Sequence, residues 1–253
     1  LFLRIFNEAF DDFLFKKGNQ PVDKNHTIAA IATPEGPGAI GIIKISGPDA
    51  ISIACGIFRH GKAISDKTAK SPPLPESLDP WRLYFGYIQD PATGSVIDEV
   101  ILAVMRKPAS YTREDVVEIQ AHSGPVVLDK IFNLLISLGA IPALPGEFTR
   151  RAFLNGRIDL TRAEAVCDLI NASSDAAHDI ALAQMTGSLS DFTSHIRKSL
   201  ISALSSAEFL IDFDDESDSA VCPSLQADFL KSSVLDPVKS FIEAYDSGRF
   251  IRE

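Results

Sequence analysis

Thr27-Ile-Ala-Ala-Ile-Ala-Thr-Pro-Glu-Gly-Pro-Gly-Ala-Ile-Gly-Ile-Ile-Lys-Ile-Ser-Gly47 contains two short runs rich in isoleucine, separated by Pro34, Gly36, Pro37 and Gly38 and closed by Gly47. Isoleucine favours the pleated surface of a sheet, and proline and glycine punctuate it, so the stretch predicts strand, tight turn, strand. A phosphate loop would need GxxxxGK[ST] leading from a strand into a helix, and neither the spacing nor the helix is here. The glycines therefore mark a turn and close packing. On period-two alternation Lys44 shares a face with Ile40 and Ile42. A lysine there either snorkels at a strand end or faces a ligand's carboxylate or ring oxygen.

Working outward, 49–58 reads as a short helix and 61–80, rich in proline and lysine, as a loop. Segments 82–88 and 98–105 read as strands joined at Asp90-Pro-Ala-Thr-Gly-Ser95, a sequence suited to a hairpin turn. Val116-Val-Glu-Ile-Gln-Ala-His122 reads as a further strand, and 124–138 as a helix with Val127, Ile131, Leu134 and Leu135 at helical spacing. Glu118 lies inside this apolar strand. A carboxylate there is either on a wet face or held by a partner or ligand, and it suits the adjacent N–H donors of an aminopyrimidine. His122 reads as a hydrogen-bonded structural residue, since no second histidine stands at metal-ligand spacing.

Beyond Pro145 the period becomes helical. Pro145-Gly-Glu-Phe-Thr-Arg-Arg-Ala-Phe-Leu-Asn-Gly-Arg157 concentrates charged and aromatic residues after a turn, so Arg150, Arg151 and Arg157 could form a solvated face, an anion site or an RNA contact. Thr161-Arg-Ala-Glu164 has the form of a capping box. Met185, Leu189, Phe192, Ile196, Leu200, Leu204, Ala207 and Ile211 make one apolar stripe, interrupted only by Gly187. A helix from Ser174 to Asp212 would be roughly 55–60 Å long. Such a stripe needs partner helices, one of them expected at 225–245 with a break before Pro237. The acidic run 212–218 lacks the glycine and register of a calcium loop and reads as a solvated connection. The fold class expected is an α+β N-terminal domain followed by an all-α helical-bundle domain. Residues 1–26 are expected to be an extension, 27–143 the α+β domain and 144–253 the helical domain.

The chain has 253 residues, 45% of them hydrophobic and 23% charged, as in ordinary globular domains. A net charge of −10 argues against a generally basic surface that coats nucleic acid. The three cysteines, Cys55, Cys167 and Cys222, form no CxxC pair and read as thiols of a reducing compartment, the cytoplasm. No apolar run is long enough for a bilayer, so no membrane partner is expected. Residues 1–15 are apolar but acidic, a poor leader and a better short amphipathic helix. No arrangement of nucleophile and base is visible.

Four stretches occur in the order of one known family's motifs: Thr27 to Gly47, Tyr111-Thr-Arg-Glu-Asp-Val-Val-Glu-Ile-Gln-Ala-His-Ser-Gly124, Pro145 to Leu160, and Ala163-Glu-Ala-Val-Cys-Asp-Leu-Ile-Asn-Ala-Ser-Ser174. Together they resemble the bacterial tRNA-modifying GTPases MnmE, also called TrmE. The resemblance implies a folate-binding, dimerising domain similar to the glycine-cleavage T-protein, then a helical domain. It implies 5-formyltetrahydrofolate or a related tetrahydrofolate as one-carbon source. It also implies a homodimer, an MnmG-like flavoprotein partner and tRNA modified at carbon 5 of the wobble uridine. Its folate-contacting positions fall on Lys44, Glu118 and Arg157. The family often has arginine at the first and lysine at the third, so the charge is kept while donor geometry changes. GTP, potassium and magnesium are expected only with the family's GTPase domain. Neither its phosphate-binding lysine nor an NKxD occurs here, so this stretch is not expected to hydrolyse GTP by itself. The alternative is a non-catalytic assembly module that recruits a protein or RNA.

Overall fold

Alternating apolar residues build a seven-stranded sheet from β1 (Ile28–Ile31), β2 (Gly38–Ser46), β3 (Phe58–His60), β4 (Leu83–Gln89), β5 (Val96–Met105), β6 (Val116–Ser123) and β7 (Ile141–Pro142). The computed structural model describes residues 26–34, 36, 38–61, 78–212 and 223–243. The expected N-terminal extension, most of the 61–80 loop, the acidic run after Asp212 and Cys222 lie outside the described residues. The strand order is β3-β4-β5-β6-β2-β1-β7. All neighbours are antiparallel except β1 and β7, so the sheet is mixed.

Period two divides the sheet into a sealed face and a half-open one. Ile43, Ile45, Val117, Ile119, Leu102 and Val104 are buried on the first. They pack under α1 (Ala50–Ile57) and α2 (Pro125–Ser137), whose Ile131 and Leu135 are fully buried. Helix α2 approaches the sheet at Gly41, where a Cβ would lie 2.7 Å from a Leu128 methyl. The opposite face carries Ile42, Lys44, Glu118, Gln120, Ile101 and Ala103, all partly exposed. β1 and β2 follow one another in the chain and pair antiparallel, so the stretch runs from strand to strand as expected.

The chain divides into two compact units, 1–155 and 156–253, a division later than the 143/144 boundary read from the sequence. Helix α3 (Glu147–Leu154) thus belongs to the first unit. The second unit is helical: α4 (Leu160–Asn171), α5 (Asp175–Thr186), α6 (Ser188–Asp212) and α7 (Pro223–Leu230). Helix α7 runs through a π-helical turn, Lys231–Leu235, into further helix over 236–243.

Three local expectations change. Asp159, not Thr161, caps α4: its backbone is extended (φ −84°, ψ 176°) and its carboxylate accepts the Arg162 amide at 2.9 Å. The long stripe is split, because Gly187 adopts φ +108° and ends α5. No break precedes Pro237. Asp236 stays helical, and the wide π turn absorbs the misfit that the proline ring would otherwise create. The expected partner for the stripe is present, since Phe241 stacks on Phe192 of α6 with centroids 4.8 Å apart.

Partial burial raises the Asp159 carboxyl, but hydrogen bonds from Thr161, the Arg162 amide and Ser190 outweigh it and hold the group below its usual range. A depressed folded value stabilises above the unfolded pKa and is lost as pH falls through the folded one. Asp159→Ala should therefore lower the stability of the helical unit by about 1 kcal/mol near neutrality. In acid unfolding the difference from wild type should shrink below about pH 4. In β4, Gly86 lies against the Arg59 carbonyl and the Phe58 ring, so an added methyl has no room. Gly86→Ala should lower stability by about 2–3 kcal/mol in urea denaturation.

Candidate functional site

The β2–β6 register sets Lys44 directly opposite Glu118 on the half-open face. The Lys44 ammonium lies 3.0 Å from Glu118 Oε1, and the two side chains are 24% and 23% exposed. Among the described residues no protein group engages the second carboxylate oxygen. Ala30 on β1 stands next to Lys44 in the same row, and Ala103 on β5 next to Glu118, so neither shields the pair. Two rings flank the ammonium: Tyr111 at 5.7 Å and Phe148 at 5.9 Å to their centroids. The Tyr111 hydroxyl and Thr149 Oγ1 are 3.0 Å apart, tying the loop before β6 to α3. A cation, a carboxylate with a spare acceptor and two aromatic rings suit a polar heteroaromatic ligand better than a simple ion.

Helix α3 is positioned by a buried ionic network. It starts at Gly146 in the left-handed region (φ +73°), a conformation other residues adopt only with strain. Glu147 folds back, its Oε2 accepting the Leu144 amide at 2.7 Å. Arg151, one turn later and 3% exposed, donates to Glu147 Oε1 at 3.2 Å, Glu114 Oε2 at 2.9 Å and the His26 carbonyl at 3.0 Å. Ser46 donates to the same Glu114 oxygen at 2.7 Å, and Asn155 donates to the Thr112 carbonyl at 2.7 Å. Arg151 is thus a structural strut and not part of a solvated or RNA-facing arginine run, which corrects the sequence reading.

Arg157 belongs to the second compact unit, just before α4, whereas Lys44 and Glu118 meet in the first. His122 is hydrogen-bonded, as expected: its amide donates to Asp98 Oδ2 and its Nδ1 lies 2.8 Å from Oδ1. Among the described residues no group of three or more metal-ligating side chains gathers, and no helix is long and apolar enough to cross a membrane. Sequence reasoning did not single out Tyr111, Phe148 or Glu114. The available signals were the i,i+4 spacing of Glu147 and Arg151 and the polar run 110–115 before a strand.

The family described as GTP-binding protein TrmE N-terminus matches residues 27–157, and that described as MnmE helical domain matches residues 160–253. Relatives named tRNA modification GTPase MnmE include one from Carboxydothermus hydrogenoformans, 40% identical over 229 residues, and one from Geobacter sulfurreducens, 43% identical over 228. Each alignment covers 90% of this chain and 47% of the relative. The relative of that name from Streptococcus pneumoniae is 46% identical over 192 residues, covering 76% of this chain and 39% of its own length. The chain spans about half the length of the curated relatives it matches.

Removing Arg151 leaves Glu114 and Glu147, 16% and 9% exposed, without their cation. Arg151→Met should lower the stability of the first unit by about 3–5 kcal/mol in urea denaturation. Arg151→Lys should recover part of that loss, since a single ammonium cannot reproduce the guanidinium fork.

Proposed function

This chain belongs to the TrmE/MnmE family, and we propose that it is the folate-binding and dimer-forming portion of a tRNA-modifying GTPase. The observation that carries the proposal is the partly exposed Lys44–Glu118 pair, 3.0 Å apart, with Tyr111 and Phe148 beside it. The residues fit a reduced pterin. Its aminopyrimidine edge presents adjacent N–H donors, and Glu118 has an acceptor oxygen that no described residue engages. Lys44 supplies positive charge for the ligand's carbonyl or formyl oxygen, and the two rings offer apolar contact. Arg157 closes the stretch that matches the TrmE N-terminus and is retained as a third, separately testable polar contact.

The bound cofactor would be 5-formyltetrahydrofolate or a related tetrahydrofolate, which supplies a one-carbon unit. The chain's own residues bind and orient it. With the remainder of such a protein and an MnmG-like flavoprotein, the product would be an aminomethyl-type group at carbon 5 of the tRNA wobble uridine. GTP, potassium and magnesium would enter only with a GTPase domain. We place the assembly in the cytoplasm as a homodimer. The rival reading, a recruiting module without folate, is favoured by the apolar residues left open on α6, where Leu204 is 59% and Ile211 78% exposed.

Calorimetric titration with 5-formyltetrahydrofolate decides between them. The expected result is about one folate per chain for wild type. In Glu118→Ala, a loss of at least about a hundredfold in affinity is expected, the scale of a charge-assisted contact of roughly 3 kcal/mol. Arg157→Ala, with one polar contact fewer, should weaken binding about tenfold. A folded wild-type dimer that takes up no folate would sink the proposal in favour of the recruiting module.

A further inference from the structure

A single residue, Gly187, separates α5 from α6. The apolar stripe ignores it. Ala177, Ala181 and Met185 of α5 lead at helical spacing into Leu189, Phe192 and Ile196 of α6, so the two helices are in phase as one. Only Gly187 stands outside helical conformation, at φ +108°. Rotating it into the right-handed well would let the Ser188, Leu189 and Ser190 amides bond the Gln184, Met185 and Thr186 carbonyls and make one helix over 175–212.

The first turn of α4 occupies what that helix would need. The atoms nearest to a Cβ added at Gly187 all belong to the Arg162 guanidinium, which fills the place of a side chain there. Arg162 Nη2 donates to the Thr186 carbonyl at 3.4 Å, the acceptor that Ser190 would take in a continuous helix. Its Nε lies 3.5 Å from Asp159 Oδ2, and the Asp159 carboxylate also accepts the Ser190 hydroxyl. Both sides of the joint are thus held from α4, and a cation rests at the C-terminus of α5, where the helix dipole favours it.

We propose that Arg162 is a latch that keeps α5 and α6 apart, and that its release lets them fuse into one helix. The bent and fused states compete for one carbonyl and one seat, so they exclude each other. The joint also sets the direction in which α6 carries its open apolar residues, Leu204 and Ile211, away from α4 and α5. Arg162 is therefore a positioning residue for that face, acting through Gly187.

Spin labels on Ala176→Cys and Ser205→Cys, both exposed positions, test this by pulsed dipolar spectroscopy in a Cys167→Ser, Cys222→Ser background; Cys55 is buried. The wild type should give one separation below about 44 Å, the rise of a continuous helix between the labels. Arg162→Ala, which keeps the amide that Asp159 caps, should add a population near that length with helicity by circular dichroism retained or raised. Adding Gly187→Ala to it should enlarge this population at least about fivefold, the helix preference of alanine over glycine. Wild-type separations in Arg162→Ala and in the double variant would overturn the latch. A broad distribution with lost helicity would overturn it too, because the joint then melts without fusing. The same follows if the wild type already shows the long separation.

Discussion

The Arg151 guanidinium joins pieces of chain far apart in sequence: the His26 carbonyl before β1, Glu114 in the loop before β6 and Glu147 on its own helix. Each partner is ordered for another reason as well. Glu114 also accepts Ser46, and Glu147 also accepts the Leu144 amide. The guanidinium therefore closes a network whose other bonds are already made, and a planar fork can do so where a point charge cannot. Its consequence for the site is indirect and large. Phe148 and Thr149 lie between Glu147 and Arg151 on α3, so the bonds that fix the helix also fix the ring beside Lys44 and the hydroxyl that meets Tyr111.

The Lys44–Glu118 pair sits in a different regime. Fully exposed pairs contribute about 1 kcal/mol or less, and fully buried ones become a severe penalty once a partner is lost. At 24% and 23% exposure this pair lies between those limits. It is dry enough for its charges to be felt by a ligand and wet enough for a ligand edge to reach the carboxylate. The sheet explains why. Its sealed face holds the core under α1 and α2, and the face bearing the pair is covered only in part, by Tyr111 and Phe148 beside Lys44. The same strands that anchor the core present the site, and their register, not a flexible loop, sets the distance between the two charges.

Much of this was legible from residue types alone. The isoleucine-rich strands around Lys44 and the strand carrying Glu118 follow from alternation and punctuation. The family resemblance pointed to both residues. What alternation cannot supply is register: nothing in either strand's own sequence states that Lys44 faces Glu118 rather than a residue two places away. Arg151 was misread for a related reason. Adjacent arginines look solvated in sequence, and only the fold brings Glu114 within 2.9 Å of one of them. Asp159 was passed over because Thr161 completes a familiar pattern. The cap is decided by which residue turns extended ahead of the first helical amide, and that is Asp159.

The two units stand on different physical footings. In the first, large side chains such as Phe58, Ile43, Ile119, Ile131 and Leu135 are completely sealed. Among the described residues of the second, the buried apolar side chains are Ala165 and Ala181, which contribute little area. Ile170, Leu204 and Ile211 are 78%, 59% and 78% exposed in that unit. Hydrophobic stabilisation scales with apolar area removed from water, so helices whose larger apolar side chains, such as Leu169, Met185 and Leu189, are only partly buried hold less of it per residue than the sheet does. Caps and turns then carry more of the burden: the Asp159 and Ser174 caps and the left-handed Gly187 define where these helices begin and end. The sheet domain is accordingly a sealed frame that can hold a site in place, whereas among its described residues the helical unit leans more on its caps and turns.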